Sequence, residues 1–174
     1  MLQINVAELR RRPGESAYFN LSSEFPPLEY LGEKNVFTGP VMVRVAVFNG
    51  DGLFQVEGNI TGNLQFNCNR CQEPFDYSFT APLVETYYPA VQGRAGAGEE
   101  AVPFSGDVID LAPEAQKSIL INLPMKVVCR QECLGLCRQC GVNLNENVCQ
   151  CADMKDSYSH MAGLKDLFKN NGGQ

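Results

Sequence analysis

The sequence predicts an α+β protein: an antiparallel β-sheet, arranged as a meander or partly closed barrel, with a few helices and a small C-terminal four-cysteine metal-binding module. Residues 36–88 are rich in β-branched residues and alternate apolar with polar positions, which is typical of strands. Residues 107–124 change to a helical period. Residues 125–174 contain six of the eight cysteines. We therefore expect a β-domain with its N-terminal segment and one helix near 110–123 in residues 1–124, and a cysteine-rich module with a C-terminal helix in 125–174.

The predicted strands follow one another along the middle of the chain. VMVRVAVF (41–48) is the clearest strand, NGDG (49–52) is a turn signal, and LFQVEGNITG (53–62) is the return strand. Residues 63–68 then lead into a Cys-x-x-Cys pair, and residues 73–89 leave it as another strand. This pair is thus predicted at the tip between two strands, as in a zinc ribbon.

The remaining segments are predicted as loop and helix. Residues 92–107 are rich in Gly, Ala and paired acids, which indicates a mobile loop. Asp110 is a candidate cap for a helix that starts near Leu111 and ends at Pro124. The tail, residues 153–174, carries an apolar stripe at helical spacing and is predicted to form a second helix.

Composition and charge exclude several classes of protein. The chain has 174 residues and a net charge of −6, so it is not a nucleic-acid binder of the simplest electrostatic kind. The N-terminus has no apolar region behind its positive charges, and no run of eighteen apolar residues exists, so we expect neither a secretory signal nor a membrane span. We therefore expect a cytoplasmic protein with reduced thiols, which argues against a disulfide framework.

The cysteines divide into two sets of four, and four thiolates in a tetrahedron are what a structural zinc site requires. Cys-Arg-Gln-Cys-Gly at 137–141 has the form of a metal-binding knuckle, because two intervening residues let both sulfurs face one ion. Gly141 can take the positive φ that the following turn often needs. The chain returns within a few residues to two more thiols. This C-terminal set is Cys137, Cys140, Cys149 and Cys151.

The other four cysteines would form a second site across a loop of more than fifty residues. Closing such a loop by coordination stabilises the folded state. This hairpin set is Cys68, Cys71, Cys129 and Cys133. The signal is weaker here because Gln72, not Gly, follows the Cys-x-x-Cys pair. The spacing also permits a different partner for Cys129, or an exchange of Cys133 and Cys137 between the sets.

Zinc is the favoured metal, with two ions in structural sites. Four thiolates do not distinguish zinc from iron, but nothing else in the sequence indicates electron transfer. A catalytic zinc would keep a position for water, and four cysteines leave none. A thiol redox protein is a further alternative, although neither Cys-x-x-Cys pair lies at a clear strand-to-helix junction.

The sequence does not indicate an enzyme. His160 is the single histidine, so a cysteine nucleophile would have no other imidazole as its base. Glycine-rich phosphate loops, nucleophile elbows and paired metal-binding carboxylates are absent from the sequence. We therefore predict no catalytic residues and no small-molecule substrate.

Three sequence segments, in the order in which they occur, resemble the YceD family, described as large ribosomal RNA subunit accumulation proteins. The segments are CNRCQEPF (68–75), IDLAPEAQKSILINLPMKVVC (109–129) and CLGLCRQCGVNLNENVCQC (133–151), followed by a terminal LKDLF. The resemblance covers roughly residues 36–168. It implies a non-enzymatic ribosome-biogenesis factor that supports processing or accumulation of 23S ribosomal RNA. The implied partner is a ribosomal RNA precursor or a protein of ribosome assembly or RNA processing.

Four basic residues beside the thiols are candidates for RNA contact: Arg70, Lys126, Arg130 and Arg138. The alternative is that they offset the negative charge of the metal sites. Each four-thiolate zinc site adds a formal charge of −2, so two filled sites would change the net charge from −6 to −10. A protein-binding adaptor without direct RNA contact remains a second hypothesis.

Overall fold

A computed structural model describes residues 1–92 and 100–153. These residues form nine strands and two α-helices. The strands are β1 (Gln3–Asn5), β2 (Ser16–Ser23), β3 (Leu28–Tyr30), β4 (Glu33–Phe37), β5 (Val41–Gly50), β6 (Leu53–Asn67), β7 (Pro74–Pro89), β8 (Val102–Phe104) and β9 (Val108–Asp110). The helices are α1 (Ala7–Arg10) and α2 (Ala112–Asn122). The prediction of a mostly antiparallel sheet with helices is confirmed.

Strands β5, β6 and β7 form an antiparallel meander, as predicted. Gly50 pairs with Leu53, which leaves Asp51 and Gly52 as the two residues of the turn. Both have positive φ, at 57° and 93°, as a tight hairpin turn of the primed type needs. The pairing of β6 with β7 runs from Phe54↔Tyr87 to Asn67↔Pro74, so the far tip of this long hairpin is the Cys-x-x-Cys segment.

Other strands extend the sheet on both sides of the meander. Strand β2 pairs antiparallel with β5, and β4 pairs with the end of β6 and with β3. Strand β8 pairs parallel with β7. This strand order leaves the sheet open across the described residues, so the closure into a barrel that the sequence permitted is not seen there.

The core lies on one face of the sheet, beneath the N-terminal segment and α2. Alternate residues of β5 point into it, and the same alternation continues in β6 and β7. The fully buried side chains include Val43, Val47, Phe54, Ile60 and Leu83. The period of two in the sequence thus corresponds to one buried face.

Helix α2 covers part of this face. The helix begins at Ala112 with Leu111 as its N-cap and no side-chain capping hydrogen bond, so Asp110 lies one residue before the cap position. Its carboxylate accepts the N–H of Ala112 at 3.0 Å. Ala115 and Ile119 are the buried residues of the helix, and the hydroxyl of Ser118 donates to the carbonyl of Pro82 in β7. Helix α2 therefore packs on β7, and residues 123–129 lead from it towards the hairpin tip.

The prediction of a mobile loop over residues 92–107 is wrong in part. Val102–Phe104 form β8, and Phe104 is buried against Phe54, with ring centroids 5.5 Å apart. The Gly- and Ala-rich composition of the segment masks one short apolar strand, which is stabilised by a contact distant in sequence. Residues 93–99 of this loop lie outside the described residues.

The predicted C-terminal helix, residues 153–174, also lies outside the described residues, apart from Asp153 at the end of a short 3-10 turn (Gln150–Asp153). In the part of the chain that the structure describes, neither helix has the length and apolar character needed to cross a membrane. The division into parts at residue 124 stays a prediction.

Candidate metal centres

The tip of the β6–β7 hairpin has the shape of a metal-binding knuckle. The N–H of Cys68 donates to the carbonyl of Glu73 at 2.9 Å, and the N–H of Gln72 donates to the carbonyl of Cys68 at 2.8 Å. These bonds fold residues 68–73 into a compact turn, so both cysteines are buried. The N–H groups of Arg70 and Cys129 each lie 3.4 Å from the sulfur of Cys68.

The segment after α2 brings the remaining two thiols to this tip. The N–H of Asn69 donates to the carbonyl of Val127 at 2.9 Å, which holds residues 127–133 against the knuckle. Cys68 Sγ lies 3.8 Å from Cys133 Sγ, and Cys71 Sγ lies 3.9 Å from Cys129 Sγ. All four sulfurs of the hairpin set lie within 4.8 Å of one another.

The C-terminal set uses a second knuckle with the same hydrogen bonds. The N–H of Cys137 donates to the carbonyl of Val142 at 2.8 Å, and the N–H of Gly141 donates to the carbonyl of Cys137 at 2.9 Å. Cys149 Sγ lies 3.5 Å from Cys137 Sγ, and all four sulfurs of this set are again within 4.8 Å of one another. This set is more exposed than the hairpin set, with no fully buried member.

The two knuckles share a left-handed residue directly after the second cysteine. Gly141 has φ of 73°, as the sequence predicted, and Gln72 has φ of 62° at the equivalent position. The absence of glycine after Cys71 weakened the prediction for the hairpin set. The structure shows that this backbone forms with Gln72, which adopts a conformation that side chains disfavour.

The sulfur distances fit a tetrahedral metal centre and do not fit disulfides. With metal–sulfur bonds of about 2.3 Å, a tetrahedron places its sulfurs about 3.8 Å apart. The closest sulfur pairs are 3.5–3.9 Å apart, whereas a disulfide needs about 2.05 Å. All eight cysteines are free. Each group of four could therefore hold one metal ion, and the hairpin set leaves little access for water because three of its members are buried.

The hydrogen bonds at each knuckle also prepare one thiol for deprotonation. Burial raises the pKa of Cys68, but the N–H groups of Cys129, Cys71 and Arg70 face its sulfur and bring that pKa down to about 6. In the second knuckle, the N–H groups of Cys140 and Gln139 lower the pKa of Cys137 to about 6. The hydrogen bonds of each knuckle thus favour the thiolate form of its first cysteine, the form that binds metal.

Another thiol in each set has a raised pKa. Burial and the neighbouring thiols raise the pKa of Cys129 to about 12. Contact with the thiol of Cys140, together with burial, raises the pKa of Cys151 to about 12. Four crowded thiolates would repel one another, so some of these thiols keep their protons; a divalent cation displaces those protons and offsets the negative charge.

The candidate basic residues do not all remain free for a partner. Arg70 Nη1 donates to the carbonyls of Gln131 and Cys133, at 2.8 and 3.0 Å, and so ties the first knuckle to residues 129–133. Arg130 Nη2 donates to Asn145 Oδ1 at 3.0 Å. Both arginines are exposed at the surface, as are Lys126 and Arg138. A role for these four residues in RNA contact stays a prediction.

Asn145 is a residue of the site that sequence reasoning did not single out. Its Nδ2 donates to Cys133 Sγ at 3.4 Å, although Asn145 lies in the loop between Cys140 and Cys149 of the other set. The repeated asparagines of VNLNENV, a residue type that bonds to nearby backbone in loops, were the available signal.

A comparison with protein-family models shows to which family the chain belongs. Residues 56–168 match the model described as "Large ribosomal RNA subunit accumulation protein YceD". This chain belongs to the YceD family. The matched range contains all eight cysteines, so both cysteine sets of this YceD-family chain lie in the part that matches the family model.

Curated relatives of this YceD-family chain are distant. An uncharacterized protein of Mycobacterium leprae (strain TN) is 28% identical over 148 residues, covering 80% of this chain and 66% of the relative. The chloroplastic YCED homolog 1 of Zea mays, whose name is "Large ribosomal RNA subunit accumulation protein", is 25% identical over 159 residues, covering 75% of this chain and 54% of the relative. The chain thus spans between half and two thirds of these relatives. No solved structure matches it.

Proposed function

We propose that this chain is a non-enzymatic ribosome-biogenesis factor that supports processing or accumulation of 23S ribosomal RNA and contains two structural zinc ions. The observation that carries the proposal is the family match over residues 56–168, with its description as a large ribosomal RNA subunit accumulation protein. The name of the maize relative supports the same role.

Zinc is the metal that fits the two sets best. Four thiolates in a closed tetrahedron are the usual structural zinc site, and four protein ligands leave no coordination position for a catalytic water. The hairpin set would hold the end of β6, the start of β7 and the segment after α2 together. Its zinc would thus cross-link residues more than fifty positions apart, which favours a stabilising role.

The role in ribosome biogenesis is tested by removing the chain from cells. We expect the ratio of 23S to 16S ribosomal RNA to fall in cells that lack it and to return when the intact gene is supplied. An empty vector is the control. An unchanged ratio in the deleted strain, under growth at several temperatures, would contradict the proposal.

A second candidate is a protein-binding adaptor that reaches ribosomal RNA only through a partner. Two observations favour it: the net charge is −6 before metal binding, and Arg70 and Arg130 donate hydrogen bonds within the chain. The net negative charge opposes binding to phosphates, and the internal hydrogen bonds occupy N–H donors that a phosphate would need.

A gel-shift titration with a 23S precursor transcript separates the two candidates. Direct contact predicts salt-dependent binding that weakens in the Lys126→Glu, Arg138→Glu variant. The Lys34→Glu, Arg44→Glu variant, which changes two exposed charges on β4 and β5, is the control of equal net charge. The adaptor hypothesis predicts no shift at low salt for any of these proteins.

A further inference from the structure

Asn145 belongs to the loop of the C-terminal set, and its side chain contacts the hairpin set. Asn145 lies in the loop between Cys140 and Cys149, whose thiols belong to the C-terminal set. Its amide reaches the hairpin set, where Nδ2 donates to Cys133 Sγ at 3.4 Å. Its Oδ1 accepts the N–H of Leu134 at 2.9 Å, the residue directly after that thiol.

The position of Asn145 depends on its own loop. Its backbone N–H and its Nδ2 both donate to Asn143 Oδ1, at 3.1 and 2.7 Å. The neighbouring N–H of Leu144 donates to the carbonyl of Gly135 at 2.9 Å. The amide therefore cannot keep its contact with Cys133 if the loop 141–148 loses its conformation.

The C-terminal set holds both ends of that loop. Cys137 and Cys140 precede the loop, Cys149 and Cys151 follow it, and Cys149 Sγ lies 3.5 Å from Cys137 Sγ. A metal bound by these four thiols fixes both ends at once. In the described residues, the hydrogen bond recorded between these ends is that sulfur contact, and this set is exposed enough for water to compete with it.

A hydrogen bond from an amide to a coordinating thiolate stabilises its negative charge. Contacts of this kind to ligand atoms typically change metal affinity by about 10- to 100-fold. The hydrogen-bond donor to the hairpin set thus comes from the loop whose ends are held by the C-terminal set.

We propose that Asn145 is a positioning residue that couples the two metal sites, so that metal bound by the C-terminal set raises the metal affinity of the hairpin set. By thermodynamic linkage, the hairpin set raises the affinity of the C-terminal set by the same factor. The inference rests on the two metal sites of the proposed function, and it adds cooperative loading of the two sites.

The test is a metal titration of the full-length chain with Cd²⁺ as the probe, followed by cadmium NMR and by competition with a chelator. We expect the hairpin set to bind about 10-fold more weakly in the Cys137→Ser, Cys140→Ser variant than in the wild type. Asn145→Ala should cause a loss of similar size while both sets still bind metal. In the combined variant the loss should be no larger than in either alone.

The combined variant separates the coupling from support of the fold, because two independent structural losses would add. Asn145→Asp keeps an oxygen for Leu134 and Arg130 but removes the N–H donors to Cys133 and Asn143 and places a negative charge beside the thiolates. We expect its hairpin-set affinity to fall at least as far as in Asn145→Ala. Asn147→Ala, at an exposed position of the same loop, is the matched control and should leave the affinity unchanged.

Two results would overturn the proposal. If both sets bind Cd²⁺ but the hairpin-set affinity is the same with and without the C-terminal thiols, or with and without Asn145, the coupling is wrong and the metal sites stand. If neither set binds metal, the metal sites of the proposed function and the coupling fail together.

Discussion

At the scale of single residues, the backbone after each Cys-x-x-Cys pair is the clearest limit of sequence reasoning. The spacing predicted the two Cys-x-x-Cys pairs, because two intervening residues are a local feature, but it left the assignment of Cys129, Cys133 and Cys137 open. The structure brings together the two sets that the sequence favoured. The left-handed Gln72 could not be predicted, since glutamine rarely adopts that conformation. The bridge made by Asn145 depends on how two loops pack, which no local pattern records.

The strained position of Gln72 leads to a stability prediction. Gln72→Gly should stabilise the metal-loaded protein by about 0.5–1 kcal/mol, because glycine adopts φ of 62° without the steric cost of a side chain. Gln72 is exposed, so little packing is lost. Gly141→Ala, at the equivalent position with φ of 73°, should destabilise by about 1 kcal/mol. Urea unfolding measures both, and a destabilised Gln72→Gly protein would argue against the knuckle geometry.

The contacts of Arg70 lead to a second prediction. Arg70→Ala should lower the free energy of unfolding by about 1–2 kcal/mol, because two carbonyls of residues 131 and 133 lose a charged donor. Arg138→Ala is the matched control beside the other knuckle and should change stability by less than about 0.5 kcal/mol. Equal effects of the two substitutions in thermal unfolding would show that Arg70 does not join the two segments.

At the scale of elements, the sequence predicts an element well when its signals are local and poorly when its stabilising partner is distant in the chain. The meander β5–β7 and helix α2 were predicted because their periodicity and turn signals are local. The short strand β1 was missed, since it pairs with β9 about a hundred residues later. Strand β8 was missed for the same reason, because its partner is β7 across the loop. Three-residue strands carry too little pattern to be recognised alone.

The centre of the meander makes a prediction about close packing between strands. Gly58 of β6 pairs with Val45 of β5, and a Cβ added at Gly58 would lie 2.7 Å from the Cα of Val45 and against the carbonyl of Arg44. These are backbone atoms, so they cannot turn aside. Gly58→Ala should therefore destabilise the protein by about 3 kcal/mol, at the upper end for overpacking.

Gly39 provides the control for this substitution. It lies in the turn before β5, and a Cβ added there would meet nothing within 4 Å. Gly39→Ala should change the unfolding free energy by less than about 0.5 kcal/mol in the same urea titration. If Gly58→Ala is as mild as Gly39→Ala, the register of β5 against β6 is wrong.

At the scale of the whole molecule, the hairpin set connects the sheet to the segment that follows α2. Cys68 and Cys71 end one arm of the meander, while Cys129 and Cys133 follow the helix that packs on β7. The C-terminal set then lies next along the chain and meets the first through Asn145. Two metal ions, as proposed, would explain how so short a module keeps its shape.

The most direct measurement of this account is the metal content of the purified full-length chain by native mass spectrometry. We predict two zinc ions per chain, with one ion left in the Cys68→Ser, Cys71→Ser variant and one in the Cys137→Ser, Cys140→Ser variant. The eight thiols should stay protected from alkylation until a chelator is added. A chain that carries disulfides, or that holds no metal when it is purified under reducing conditions with zinc present, would contradict the account.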